Sequence, residues 1–246
     1  MEEKIFGINP VLEALKAHPE RFQEIFLPAG TLKGKKGLIH SLARSHNIKI
    51  QRIPRSRFEH LVGNEVHQGV VGTVLPYSYR PLEALLESWR QSQERALFVL
   101  LDGVEDPRNL GAIARTANTA GAHGIIVPKH RSAPMNAAAA KAAAGAFSYT
   151  PVCRITNLVS TIKVLKKEGV WVIGAAEDAD LPLYDHDFNA DTAVVIGGEG
   201  KGLHPLVKRH CDVLVSIPTR GNINSLNAAV ATGVVLYEII RQRREG

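Results

Sequence analysis

Cysteine is nearly missing from this chain: Cys153 and Cys211 are the only two in 246 residues. Two thiols cannot build a disulfide framework or a four-ligand structural zinc site, and they suit a reducing cytoplasm. Long apolar runs are missing too, and none approaches the ~20 residues that cross a bilayer. The start, MEEKIFGINP, has acids where a secretory leader has a basic and then an apolar region. The ten histidines form no H-E-x-x-H, the cysteines form no C-x-x-C, and no G-x-S-x-G elbow occurs. No metal is therefore expected. Cys153 and Cys211 read as buried thiols, and His123 and His210 as ordinary, partly buried histidines. Two phosphate-binding fingerprints are absent as well. Gly200-Lys201 is followed by Gly202 rather than Ser or Thr, which excludes a P-loop. Glycines 198, 200 and 202 have the wrong spacing for the dinucleotide motif, which disfavours a nicotinamide-dependent oxidoreductase.

What the chain does have is 45% hydrophobic residues, enough for a folded core, and a net charge of +6. The excess is uneven. Residues 1–76 carry a net +4, residues 77–96 are neutral and residues 97–246 carry +2. A basic N-terminal part permits an anionic partner such as RNA without proving one.

Three segments follow from the patterning: a small α/β unit over 1–76, a linker with one short helix over 77–96, and a larger α/β unit over 97–246. In the first, Asn9 is expected to cap a helix that has Pro10 at its first position. Strands are expected near Glu24–Leu27, Ile48–Gln51 and Gly69–Leu75. The loop TLKGKKG offers Lys33, Lys35 and Lys36 either as a solvated surface or as phosphate contacts. In the third, short apolar runs alternate with helices, the pattern of a parallel sheet covered on both faces. Helices are expected over Leu110–Ala120, Met135–Ala144, Ile155–Lys167 and Leu226–Arg241, the last apolar enough to be buried. The alanine run from Ala137 to Ala144 reads as a close-packing helix.

Ligands of such sheets bind beyond the C-terminal strand ends. Three loops there carry unusual chemistry. DGVEDPRNLGAIAR (Asp102 to Arg115) offers Asn109 as a helix cap and Arg115 in the second helical turn. GGEGKGL (Gly197 to Leu203) is a loop whose backbone can approach a ligand closely, with one carboxylate, Glu199, in its middle. SIPTRGNINSLN (Ser216 to Asn227) gathers hydroxyl and amide groups before an apolar helix. With neither metal nor nucleophile, group transfer from a bound cofactor is the chemistry that remains attractive.

Read in order, LDGVEDPRNLGAIARTANTAGAHGIIVP, VVIGGEGKGL and SIPTRGNINSLNAAVATGVVLYE resemble the three motifs of the SpoU (TrmH) family. These are RNA 2′-O-ribose methyltransferases of the SPOUT superfamily. IFGINPVLEAL, PERFQEIFL and VHQGVVG resemble the small L30e-like substrate-binding domain found in the family. The resemblance implies a parallel sheet with a C-terminal trefoil knot, S-adenosylmethionine as cofactor, and a homodimer formed through the catalytic domain. It implies an RNA substrate, with a guanosine of large-subunit rRNA foremost; tRNA methylation and a non-catalytic RNA-binding or ribosome-assembly role are the alternatives. Carried over residue by residue, it makes Arg115 the catalytic arginine, which also contacts RNA, and places Asn109, Glu199, Ser225 and Asn227 around it. Gly197, Gly198, Ile217, Leu226 and Asn227 then hold the cofactor. Glu199 either anchors its loop or pairs with Arg115.

Overall fold

The computed structural model describes all residues except 1–2, 63–66, 76–77, 223–224 and 246. Asn224 thus lies outside the described residues, as does part of VHQGVVG.

The N-terminal unit comprises β1 (Glu3–Phe6), α1 (Ile8–Ala17), β2 (Phe22–Pro28), α2 (Lys35–Ser45), β3 (Lys49–Ile53), α3 (Arg55–Val62) and β4 (Val71–Val74). Its sheet has the order β1-β4-β2-β3, with β2 and β3 parallel and the other pairs antiparallel. Strand β1 was not expected from sequence. It is four residues long with two charges, a common way to blunt a sheet edge. The expected cap is displaced: α1 starts at Ile8 after Gly7, and Asn9 Oδ1 instead accepts a hydrogen bond from Lys35 Nζ at 2.8 Å.

The larger unit contains α4 (Leu82–Ser92), β5 (Leu97–Asp102), α5 (Pro107–Thr119), β6 (Gly124–Pro128), α6 (Ala137–Ala143), β7 (Val152–Ile155) and α7 (Leu158–Lys167). It continues with β8 (Trp171–Ala175), β9 (Leu181–Pro182), β10 (Thr192–Gly197), α8 (Pro205–His210), β11 (Val213–Ser216) and α9 (Ala228–Glu245). The sheet is parallel throughout, in the order β7-β6-β5-β10-β8-β11-β9. Strand β5 shows why it is covered on both faces. Leu97, Val99 and Leu101 enter one apolar cluster, with α5 and α9, while the alternating Phe98 and Leu100 enter another, with α4 and α7. Each such burial stabilises the fold by about 1.5–3 kcal/mol. Helix α4 occupies most of the expected linker and contributes Leu85, Leu86 and Trp89 to that second cluster.

Local chemistry moved several boundaries. Asp106, not Asn109, caps α5, its carboxylate accepting from the Arg108 amide at 2.8 Å. Residues 152–155 form edge strand β7, and α7 starts only after Asn157, whose side chain accepts from the Ser160 amide. The alanine-rich helix packs as expected. A Cβ on Gly111 of α5 would lie 2.2 Å from the Ala139 carbonyl oxygen of α6, which only glycine permits. Helix α9 departs from expectation. Val235, Leu236 and Ile239 are buried, but Val230 and Tyr237 are each 53% exposed. Its apolar sequence covers two faces, and only one of them is packed.

Candidate functional site

The C-terminal ends of β5, β10, β8 and β11 are neighbours in the sheet, so the loops that leave them meet at one edge. A cavity of about 450 Å³ opens there. Its walls are Ala175 and Ala176 at the end of β8, Ile196 to Gly198 at the end of β10, and Ile217, Ser225 and Leu226 from the segment after β11. That volume suits a ligand of nucleoside size.

The loop after β10 folds back on itself. Gly198 and Gly202 form a bridge, and Gly200 and Gly202 have φ of 78° and 59°, which favour glycine. The bend sits directly on the β5 turn. The Gly198 amide donates to the Asp102 carbonyl at 2.8 Å, and a Cβ on Gly198 would meet the Gly103 oxygen at 2.0 Å. Buried Asp102 fixes the far end of the loop: its carboxylate accepts from the His204 amide at 2.7 Å and faces His204 Nδ1 at 2.9 Å.

The three loops are tied together by three side chains. Asn109 Nδ2 donates to Glu199 Oε1 at 2.7 Å. Asn227 Nδ2 lies 2.6 Å from the same oxygen and 3.0 Å from Asn109 Oδ1. Asn227 Oδ1 accepts from the amides of Ala229 and Val230, so one residue both caps α9 and locks the cavity wall. Of the two arrangements expected for Glu199, the chain displays bonds to Asn109 and Asn227 rather than a pairing with Arg115. Bonds to a charged acceptor typically contribute about 1.5–3 kcal/mol each, and the exposure of Glu199 puts these at the low end.

Gly197, Gly198, Ile217, Leu226, Ser225 and Asn227 all line the cavity. Arg115 does not join them. Six residues beyond Asn109 at 3.6 per turn, it points away from that face of α5 and is exposed, with no hydrogen-bond or ion-pair partner among the described residues. It shares its face with Thr119, four residues on, whose Oγ1 contacts the Tyr237 hydroxyl at 3.3 Å. Arg115 therefore belongs to the α5–α9 surface that carries the unpacked Val230 and Tyr237. Lys33 and Lys35 are exposed and Lys36 is half-buried; Lys35 and Lys36 open α2 rather than extend a loop.

Ala175, Ala176 and Glu177 were not anticipated from sequence. The available signal was the end of β8, a strand flanked by β10 and β11. Glu177 and Glu199 place carboxylates on a cavity with apolar walls, a donor set that fits a cationic sulfonium and ammonium group joined to a nucleoside. His123 stays neutral more readily than a free histidine, because burial lowers its pKa. Burial likewise pushes the Cys153 and Cys211 thiols up to about 12. Among the described residues, no cluster of three or more His, Cys, Asp or Glu is placed to hold a metal ion, and no helix is long and apolar enough to cross a membrane.

Comparison with known proteins accords with this geometry. Residues 4–80 match the model for RNA 2′-O ribose methyltransferase substrate binding. The 23S rRNA (guanosine-2′-O-)-methyltransferase RlmB of Escherichia coli (strain K12) is 43% identical, over 99% of this chain and all of its own length. YacO of Bacillus subtilis (strain 168), assigned to the TrmH family of tRNA/rRNA methyltransferases, is 40% identical over 97% of this chain and 95% of its own. The crystal structure of the SpoU methyltransferase AviRb from Streptomyces viridochromogenes with AdoMet superposes with a TM-score of 0.83 at 26% identity, covering 100% of this chain and 91% of that one. The SpoU rRNA Methylase family model matches residues 96–237, more than half of the sequence, and the chain belongs to that family.

Proposed function

We propose that this protein transfers a methyl group from S-adenosylmethionine to the ribose 2′-oxygen of a guanosine in large-subunit (23S) rRNA. The observation that carries the reading is the convergence of three motif loops on one cavity, knitted by Asn109, Glu199 and Asn227. The substrate follows from the full-length likeness to RlmB. Bound S-adenosylmethionine supplies an activated methyl that needs no metal to leave.

The chain's own task is alignment and proton handling. Orientation alone can contribute on the order of 7–11 kcal/mol. The backbone of Gly197, Gly198, Ile217 and Leu226 holds the adenosyl part, and Glu199 keeps the wall in place through both asparagines. Ser225 and Asn109 orient the ribose. Arg115 acts as a donor, not a base, since a guanidinium holds its proton in proteins. It clamps the 2′-oxygen and the neighbouring phosphate bidentately, and that phosphate accepts the proton the hydroxyl gives up as its oxygen takes the methyl group.

The reading includes a homodimer through α5 and α9. Exposed Val230 and Tyr237, beside an exposed Arg115 that has no partner among the described residues, support it, with Arg115 serving the partner's cavity. It further includes a C-terminal segment threaded as a trefoil knot, residues 1–76 as the RNA-binding unit with Lys33, Lys35 and Lys36 on phosphates, residues 77–96 as the connector, and a cytoplasmic location. Mapping 2′-O-methylation of rRNA and tRNA in cells lacking the protein tests the function. One rRNA guanosine should lose its methyl group; an unchanged rRNA pattern refutes the reading, and a lost tRNA methyl replaces it.

A further inference from the structure

A second cavity, of about 520 Å³, adjoins the first and shares Gly198, Glu199, Gly202 and Ala228 with it. Its remaining lining includes Asp102, Glu105, Asp106, Arg131, Lys201 and His204. Charges of both signs therefore face one space. A free anion would meet four carboxylates there, and a free cation would meet two basic side chains. A nucleotide has both complements: anionic phosphate for Arg and Lys, and base-edge N–H donors for carboxylates.

Arg131 stands out within this cavity. It lies in the segment PKHRSAP after β6, which the three motif loops do not include. Its φ is 56°, the left-handed region that non-glycine residues occupy at a cost of order 1–3 kcal/mol and that clusters at functional sites. Its guanidinium is exposed, and its one hydrogen-bond contact among the described residues is long: Nη1 lies 3.4 Å from His204 Nε2. His204 is itself held by buried Asp102 through its amide and Nδ1, so a fixed imidazole backs the guanidinium without saturating it. Lys129 and His130 are exposed beside it and extend the basic rim.

We propose that the second cavity seats the RNA nucleotide flanking the reacting ribose, and that Arg131 is a positioning residue that takes its phosphate. This rests on the methyl-transfer reading. It adds a phosphate contact from the catalytic unit to those expected of the N-terminal lysines.

Arg131→Gly tests it, because glycine removes the guanidinium and also relieves the left-handed backbone. The thermal midpoint and the S-adenosylmethionine affinity by calorimetry should match wild type. KM for an rRNA transcript should rise about tenfold with kcat changed less. The slope of log affinity for RNA against log salt should become shallower by about one. Arg131→Lys should keep the wild-type slope with an intermediate KM. Wild-type KM and salt slope in Arg131→Gly overturn the proposal, as does a loss confined to cofactor affinity. Failure of the underlying reading shows separately, as a wild-type protein that methylates no rRNA; the salt slope of RNA binding then still decides for Arg131.

Discussion

Replacing Asn109 by Asp puts a carboxyl where an amide now donates to Glu199 Oε1 at 2.7 Å. The acceptor side of the residue survives, so Asn227 keeps its bond to it. The donor is lost and a second negative charge arrives. Two unit charges about 4 Å apart repel by about 4 kcal/mol at an effective dielectric of 20, and by about 1 kcal/mol in water. Asn109 is buried but Glu199 is exposed, so the deficit at pH 8 should lie near 2–3 kcal/mol. A single proton shared by the pair restores the donor. The folded pair therefore has a pKa raised above the ~3.9 and ~4.3 of free carboxyls. A raised folded pKa gives stability that is complete below the unfolded values and lost as pH climbs through the folded one. The variant should be within about 1 kcal/mol of wild type at pH 4 and fall away toward pH 8. Urea unfolding followed through buried Trp89 reports the unit concerned. Asn109→Ala, which removes the bond to Glu199 and also the one from Asn227 without adding charge, should show a deficit with no pH dependence of this kind. Parallel deficits for the two variants from pH 4 to 8 would refute the account of the cluster.

Further expectations follow from single contacts. Gly198→Ala must displace the Gly103 carbonyl, and calorimetry should show S-adenosylmethionine binding at least tenfold weaker, with the N-terminal unit still folded. Asp106→Ala removes the α5 cap, which should cost about 1 kcal/mol and lower the melting temperature by about 2–4 °C in calorimetric scans. With both thiols pushed up to about 12, native protein at pH 8 should resist iodoacetamide over a time in which urea-unfolded protein is alkylated at both. Burial holds the pKa of His123 below its unfolded value near 6.5, so its contribution to stability is present above that value and lost as pH falls further. His123→Phe should flatten that part of the stability profile in urea titrations.

How much of this was legible in the sequence depended on how local the cause was. The three site loops could be read because glycine- and amide-rich segments recur at strand ends of one parallel sheet, while Gly197, Ile217, Leu226 and Asn227, which do line one cavity, were named through the family resemblance. The start of α5 was misplaced by three residues because Asp106 and Asn109 are equally good caps by type. Only the fold shows that Asn109 is spent on Glu199 instead. Ala175 to Glu177 were invisible for a topological reason. Their place in the wall comes from β8 lying between β10 and β11, and neither two alanines nor the single acid Glu177 announces a site. The left-handed Arg131 was equally silent, because arginine has no sequence signature for that conformation.

Helix α9 is the instructive case. An apolar pattern records that water is excluded from a surface, not what excludes it. Val235, Leu236 and Ile239 are covered by the chain's own core, whereas Val230 and Tyr237 are not. Asn227 Oδ1 caps this helix, and its Nδ2 bonds Glu199 and Asn109. A shift of α9 caused by a second copy packing on its open face would thus reach the cavity wall through one residue. In the proposed homodimer, dimer contact and cofactor affinity should accordingly be linked. Val230→Glu, on the open face and outside the cavity, should yield a monomer by ultracentrifugation that binds S-adenosylmethionine more weakly. A monomer with wild-type affinity would break that link.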